Sequence, residues 1–254
     1  METRAFVLHL ARAEKRRANA RNLLETCGPK GRIWPAVDGN AISARDLEAT
    51  VGAGLFDPPY PFGLKTGEIG CFLSHRQIWA EMQASDDAEA ALIIEDDAAL
   101  DPAVFGTALE LARGHVGRLG YIQFQTRPPT GPGTLVDTAG PCALTVPETG
   151  GLRTTAQIVG KQAAAHLLRL SEVIDRPVDT FVQSHWHTGL RPAMIFPSGV
   201  TDIADSLDGS TIQAGRKPVL EKLRREVLRA RYRHRAARFA RHSRAPEKGG
   251  LAGD

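Results

Sequence analysis

Ala91-Leu-Ile-Ile-Glu-Asp-Asp-Ala98 constrains this chain more than any other stretch. Four apolar residues, two of them β-branched, run directly into three consecutive carboxylates. A short apolar run flanked by polar sequence reads as a strand buried on both faces, which implies a sheet covered by helices. In open α/β sheets, ligands bind beyond the carboxyl ends of the strands. Glu95, Asp96 and Asp97 therefore fall where such a fold builds a site. Three like charges repel one another, and burying unpaired charge is costly. A divalent cation would offset both effects. Carboxylate oxygens suit hard ions such as Mg²⁺ or Mn²⁺, and such an ion would in turn hold a diphosphate. The plain alternative is a solvated acidic turn.

The segments on either side fit an α/β reading. Ala5–Leu10 reads as a first strand, a helix is expected over 13–26, and Gly28-Pro29 stops it. Ile33–Val37 reads as a second strand, ended by an Asp38-Gly39 turn. This βαβ unit predicts a parallel sheet. The arginines of its first turn, Arg12 and Arg16, are placed to reach phosphates by forked hydrogen bonds, against a solvated helix start. Asp38 falls where such folds often hold a ribose, against an ordinary turn. The Pro-rich stretch 56–63 cannot be regular helix or central strand. Its Tyr60 and Phe62 suit either stacking on a sugar or plugging the loop onto the body.

Thr66 is expected to cap a helix through Trp79, with Glu68 in the first turn, where the dipole favours an anion. Gly67 and Gly70 are unusual there and point to a close backbone approach, either to a ligand or to a neighbouring element. His75 shares its helical face with Cys71, Phe72, Ile78 and Trp79, which reads as a core histidine or as a site residue. Further strands are expected at 121–125, 142–146, 154–159 and 193–196, with helices from Pro102 and over 160–170. Residues 126–134 read as a loop and a candidate lid. His185 and His187 would share a face on a strand and bind metal there; on a helix they would not.

Charge divides the chain. Residues 216–244 hold twelve Lys or Arg and two Glu, a net of +10, and the preceding body carries −6. This predicts domain 1–214 and a basic, helical or disordered tail over 215–254. A helix from Lys217 with a broken apolar stripe (Leu220, Leu223, Val227, Leu228, Tyr232, Phe239) suits an anionic membrane surface. No recognition motif supports nucleic-acid binding, and the acidic body argues against it. Three scattered cysteines give neither a disulfide framework nor a zinc site. The N-terminus lacks the pattern of a signal peptide, and no run approaches a membrane span. The expected location is cytoplasmic, peripheral on the inner membrane.

Several of these stretches, in order, resemble glycosyltransferase family 25. They are Leu10-Ala-Arg12 with Arg16-Arg17, Ala36-Val-Asp-Gly39, Gly67-Glu-Ile-Gly-Cys-Phe-Leu-Ser-His75, Leu92-Ile-Ile-Glu-Asp-Asp-Ala98 and Pro177-Val-Asp179. His9 stands where the family usually has Asn or Ser. The resemblance covers about 4–200. It implies a GT-A fold, meaning a Rossmann-like mixed sheet flanked by helices; the basic C-terminal helical tail lies beyond the resemblance and inherits nothing from it. It also implies an inverting, metal-dependent transfer of a sugar, galactose most often, from a UDP-sugar to a glycan or lipid-linked oligosaccharide acceptor in lipopolysaccharide biosynthesis. The acidic triplet would play the part of the DxD motif, with Mn²⁺ or Mg²⁺ on Asp97 together with Glu95 or Asp96. Inversion needs a general base. Asp179 is the first candidate and Glu68 the second, with His75 orienting Glu68 or a diphosphate oxygen. The same acidic triplet would also serve a metal-dependent phosphohydrolase, and a catalytically degenerate, membrane-associated scaffold is the non-enzymatic reading.

Overall fold

The structure is a computed structural model that describes residues 1–207 and 219–251. It contains β1 (Thr3–His9), α1 (Arg17–Thr26), β2 (Gly31–Pro35), α2 (Ala44–Thr50), α3 (Thr66–Ala84), β3 (Ala90–Glu95), β4 (Ala98–Leu100), α4 (Pro102–Leu119) and β5 (Tyr121–Phe124). The chain continues with β6 (Gly133–Ala139), β7 (Cys142–Pro147), β8 (Ala156–Gly160), α5 (Lys161–Leu170), α6 (Val178–Gln183), α7 (His185–Thr188), β9 (Leu190–Arg191), β10 (Ala193–Phe196) and β11 (Val200–Asp202). It closes with α8 (Val219–Arg241) and β12 (Gly250–Leu251).

Eight strands form one mixed sheet in the order β2-β1-β3-β8-β5-β10-β7-β6. β2, β1 and β3 run parallel, β8 is antiparallel to both β3 and β5, and β10 runs parallel to β5. The mixed sheet flanked by helices is as expected. The apolar run of β3 accounts for its central place. Leu92 and Ile94 face a core made with α1 and α4, and Ala91 and Ile93 face a second core made with α3, α5 and α6. All four side chains are fully buried, so a charge anywhere in the run would lose its water on either face.

Register fixes what stands at the carboxyl edge. Leu8 of β1 pairs with Glu95 of β3, and His9 with Pro35 of β2. The chain leaves β1 into a 3₁₀ turn at Glu14–Arg16 before α1 begins, so the first helix starts later than residue 13. Thr66 is the first residue of α3 and not its cap. The helix start is closed instead by the Glu68 carboxylate, which accepts the Lys65 N–H at 2.8 Å. Gly70 of this helix and Gly39 facing it have a structural reason. A Cβ on Gly70 would lie 2.5 Å from the Val37 carbonyl oxygen, and one on Gly39 would lie 1.7 Å from that of Thr66. The neighbouring element that comes so close is therefore the Val37–Gly39 turn.

Two expectations change. The lid segment gives way at Gly133 to the exposed edge strand β6, paired with β7. His185 and His187 lie on the short helix α7, so they do not share a face. The expected helix start at Lys217 and the side chain of Leu220 lie outside the described residues. α8 packs against the body. Ala236 and Ala240 are buried, Phe239 stacks on Trp186 with centroids 6.2 Å apart, and the Tyr232 hydroxyl accepts from Arg176 Nη1 at 3.2 Å.

Candidate active site

A cleft of about 470 Å³ opens at the carboxyl edge of β1 and β3. Its walls carry six carboxylates (Glu68, Glu95, Asp96, Asp97, Asp179 and Asp202) and three arginines, Arg12, Arg16 and Arg153. Of the residues singled out from the sequence, Arg12, Arg16, Glu68, Glu95, Asp96, Asp97 and Asp179 line it, Asp38 pairs with Arg12 at its rim, and His75, His185 and His187 are not in its lining.

The acidic triplet forms the tight turn between β3 and β4, and each member is held differently. Glu95 is nearly buried. One of its oxygens accepts the Thr154 hydroxyl at 2.7 Å, and its N–H donates to the Thr155 carbonyl at 2.9 Å. Burial, then the charge of Asp97, push its carboxyl up to about 8. Asp96 is committed to protein partners: Oδ2 lies 2.7 Å from His9 Nδ1 and Oδ1 lies 3.1 Å from Arg16 Nη1. Asp97 Oδ2 accepts from the same Nη1 at 2.7 Å. Burial raises the Asp97 carboxyl above the usual range, against the opposing pull of Arg16. Asn19 of α1 braces the turn, donating to the main-chain oxygens of Asp96 and Ala98.

Arg16 is itself buried. Ion pairing with Asp97 and hydrogen bonding to Asp96 hold its guanidinium above its ordinary value although burial pulls the other way. Arg12 is exposed, and its Nε donates to Asp38 Oδ2 at 2.9 Å. The other oxygen of Asp38 accepts the Asn40 N–H. Arg12 and Asp38 thus stand as a pair at the rim, built from the first two strand exits. On the opposite wall, in the first turn of α6, Asp179 accepts the Thr180 N–H and hydroxyl on Oδ1 and the Arg153 N–H on Oδ2.

His75 is not part of this constellation. It is fully buried in the core. Its Nδ1–H donates to the Cys71 carbonyl at 2.9 Å, which leaves Nε2 to accept from Gln157 at 2.8 Å. Burial lowers its pKa to about 4. The helical face it shares with Phe72 and Trp79 is the core face, and both ring nitrogens are engaged by Cys71 and Gln157 rather than by Glu68. His185 is likewise spent, on Ser243 and the Glu148 carbonyl, and His187 stacks on Phe56.

Sequence reading missed His9, Asn19, Thr154 and Asp202. The first three fix the acidic turn, and Asp202 reaches the cleft because β11 pairs with β4, placing it opposite Ala98. The departure at His9 was the one available signal, since its side chain is what answers Asp96.

The donor chemistry here is all carboxylate oxygen, which fits a hard cation. Among the described residues no three His, Cys, Asp or Glu side chains converge to hold an ion by themselves. The fit is therefore to an ion held by one or two carboxylates and completed by phosphate oxygens, the usual manner for Mg²⁺. Glu95, whose carboxyl the charge of Asp97 helps to raise, and Asp97 are the pair such an ion would relieve.

Residues 2–126 match the family model described as Glycosyltransferase family 25 (LPS biosynthesis protein). A glycosyltransferase 25 family member of Drosophila pseudoobscura pseudoobscura is 38% identical over 100 residues, covering 38% of this chain and 16% of the relative. Procollagen galactosyltransferase 1 of Danio rerio is 37% identical over 95 residues, 36% of this chain and 16% of its own. The human protein named inactive glycosyltransferase 25 family member 3 is 40% identical over 95 residues, with the same coverage of 36% and 16%. The matched stretch thus spans about 16% of the length of these relatives. Among solved structures, a glycosyltransferase involved in glycosylation of the major capsid of PBCV-1 aligns with a TM-score of 0.32 at 11% identity, over 66% of this chain and 63% of that one.

Proposed function

This chain belongs to glycosyltransferase family 25 through residues 2–126, and from that premise we propose that it moves a hexosyl group, galactose first, from a UDP-sugar to a hydroxyl of a glycan acceptor, with inversion at the anomeric carbon. The observation that carries the reading is the Glu95-Asp96-Asp97 turn, held by Arg16, His9 and Asn19 in the floor of a cleft large enough for a nucleotide sugar.

In the reaction the acceptor oxygen bonds to the anomeric carbon as the bond from that carbon to the diphosphate oxygen breaks. The acceptor proton passes to Asp179, with Glu68 as the second candidate, and UDP leaves with the electron pair. In this reading Arg12 and Arg16 meet the phosphates by forked hydrogen bonds, and Asp38 meets the ribose. When bound, Mn²⁺ or Mg²⁺ on Asp97 and Glu95 would act as a Lewis acid toward the departing diphosphate. The name of the zebrafish relative supports galactose, and the family description supports a lipopolysaccharide-type acceptor. Among the described residues no helix is long and apolar enough to cross a membrane. The outward Leu223 and Val227 of α8, set among arginines, support peripheral attachment to an anionic, cytoplasmic membrane face.

One observation favours a second reading, a fold that binds nucleotide without transferring sugar. Arg16 already occupies the space between Asp96 and Asp97, and a human relative is named inactive. Thermal denaturation with UDP, with and without Mn²⁺, on wild type and Asp97→Asn tests the main reading, because a ligand of the folded state raises the melting temperature by mass action. The expected result is an Mn²⁺-dependent shift lost in the variant. Absence of any shift with wild type overturns it, and a shift without turnover of any UDP-hexose selects the second reading.

A further inference from the structure

A second cleft, of about 570 Å³, adjoins the first. Tyr60, Leu152, Arg153 and Thr180 line both, so the two share a wall. Their chemistry is opposite. Against the six carboxylates of the first, the second is lined by four arginines (Arg127, Arg153, Arg229 and Arg233) and by no Asp or Glu among the described residues. Arg153 is ion-paired with Asp202 and Arg229 with Glu226. Arg127 and Arg233 make no hydrogen bond or ion pair with any described residue. Like charges gathered around one concavity repel, and an anion entering it would relieve them.

The rest of the lining suits a sugar. Tyr60 meets Phe62 and Tyr232 edge to face, each at 5.6 Å between centroids. Tyr60 and Tyr232 offer apolar faces with a polar tip, the surface on which the C–H face of a pyranose packs, while the Arg225 guanidinium lies over the Phe62 ring at 4.5 Å and backs it. The Thr126 hydroxyl, also in the lining, is buried without a partner, and a buried polar group left unsatisfied is costly until something answers it. Tyr232, Ala236 and Ala237 come from one face of α8, whose alanines leave room where larger side chains would close the cleft.

Resting on the transferase reading, we infer that this second cleft is the acceptor subsite, that it selects an anionic saccharide, and that α8 supplies one of its walls. The sugar ring packs on Tyr60 and Tyr232, and its phosphate or carboxylate pairs with Arg127 and Arg233. Thr180 in the shared wall follows Asp179, so an acceptor hydroxyl at that partition arrives beside the candidate base.

The test is direct binding of matched saccharides at low and moderate salt: lactose against 3′-sialyllactose for a carboxylate, and mannobiose against mannobiose 6-phosphate for a phosphate. Proteins are wild type and Arg127→Ala/Arg233→Ala, with the UDP and Mn²⁺ thermal shift measured on both. At least one anionic member should bind wild type roughly tenfold tighter than its neutral partner, and the preference should weaken with salt and vanish in the double variant. The arm that responds identifies phosphate or carboxylate. An unchanged UDP shift in the variant confines the effect to the second cleft. No preference for either anionic member, or a preference that survives the double substitution, overturns the inference. A lost UDP shift in wild type would instead fault the donor site, whatever the saccharides do.

Discussion

Arg16, which is buried, and the partly buried Asp97 form an ion pair, with Nη1 2.7 Å from Oδ2, at the point where the first strand exit meets the third. The same guanidinium nitrogen reaches Asp96 at 3.1 Å. A cation seated on Asp97 would share that carboxylate with Arg16, so the pair would set how tightly such an ion is held.

Replacing Arg16 by Ala should therefore have two effects of opposite sign. Removing one partner of a buried pair leaves the other charge uncompensated, so stability without metal should fall by about 3–5 kcal/mol. Mn²⁺ should then raise the melting temperature of Arg16→Ala by more than it raises that of wild type. Equal metal shifts in the two proteins would show that Arg16 and the metal do not compete for Asp97.

Asp179→Asn should keep the UDP and Mn²⁺ thermal shift and lose transfer by a factor of roughly 10²–10⁴, the range spanned by a positioned general base. Its Thr180 contacts can be kept by an amide oxygen, whereas the Arg153 N–H would face an NH₂ group. Comparing kcat with donor KM separates the two roles. A fall in kcat alone fits the base, and a rise in donor KM of equal size fits a positioning role.

Gly70→Ala drives a methyl group to 2.5 Å from the Val37 carbonyl oxygen and 2.8 Å from the Gly39 nitrogen. Backbone cannot rotate away as a side chain would, so the helix and the Val37–Gly39 turn must part. A loss of about 1–3 kcal/mol is expected in urea denaturation. Asp38 rides on that turn, so UDP affinity should weaken with it. Unchanged stability would mean that the contact is looser than its geometry.

His75 gives the expected pH dependence of stability. Its folded pKa of about 4 lies below the unfolded 6.5. The unfolded chain therefore takes up the proton first as pH falls. The contribution is whole above pH 6.5 and declines toward pH 4, by roughly 3 kcal/mol for a shift of this size. His185, lowered to about 4 mainly by burial, adds to the same slope. His75→Gln should be less stable than wild type at pH 7 yet lose less between pH 6.5 and 4. Urea midpoints across that range provide the check. Because His75 does not face the cleft, the acid limb of the rate profile should not move with the substitution.

The central part of the site is legible because one physical conflict, carboxylates at the end of a strand buried on both faces, has few resolutions. β3, the first two strand exits and Gly70 of α3 follow from the same local reasoning. His75 shows its limit. A histidine at helical spacing among Phe72 and Trp79 reads alike whether that face meets a cleft or a core, and only Gln157, 82 residues away, decides it. β6 escapes because it is an exposed edge strand whose Gly, Thr and Asp give no alternation to read. The docking of α8 escapes for a related reason. Tyr232 and Phe239 are isolated in an arginine-rich run, and their partners Arg176 and Trp186 are far away in sequence.

The reversed direction of β8 has a mechanical consequence. A sheet of parallel strands presents only strand exits at its reactive edge, and each can drift or lengthen independently. Here a strand start stands among the exits. Thr154 and Thr155, leading into β8, are clamped to Glu95 by one side-chain and one main-chain hydrogen bond. That corner of the cleft behaves as the fixed jaw of a vice. The opposite jaw is set differently: Arg12 and Tyr60 stand on loops and are held by side chains alone, Arg12 by Asp38 and Tyr60 by the rings of Phe62 and Tyr232.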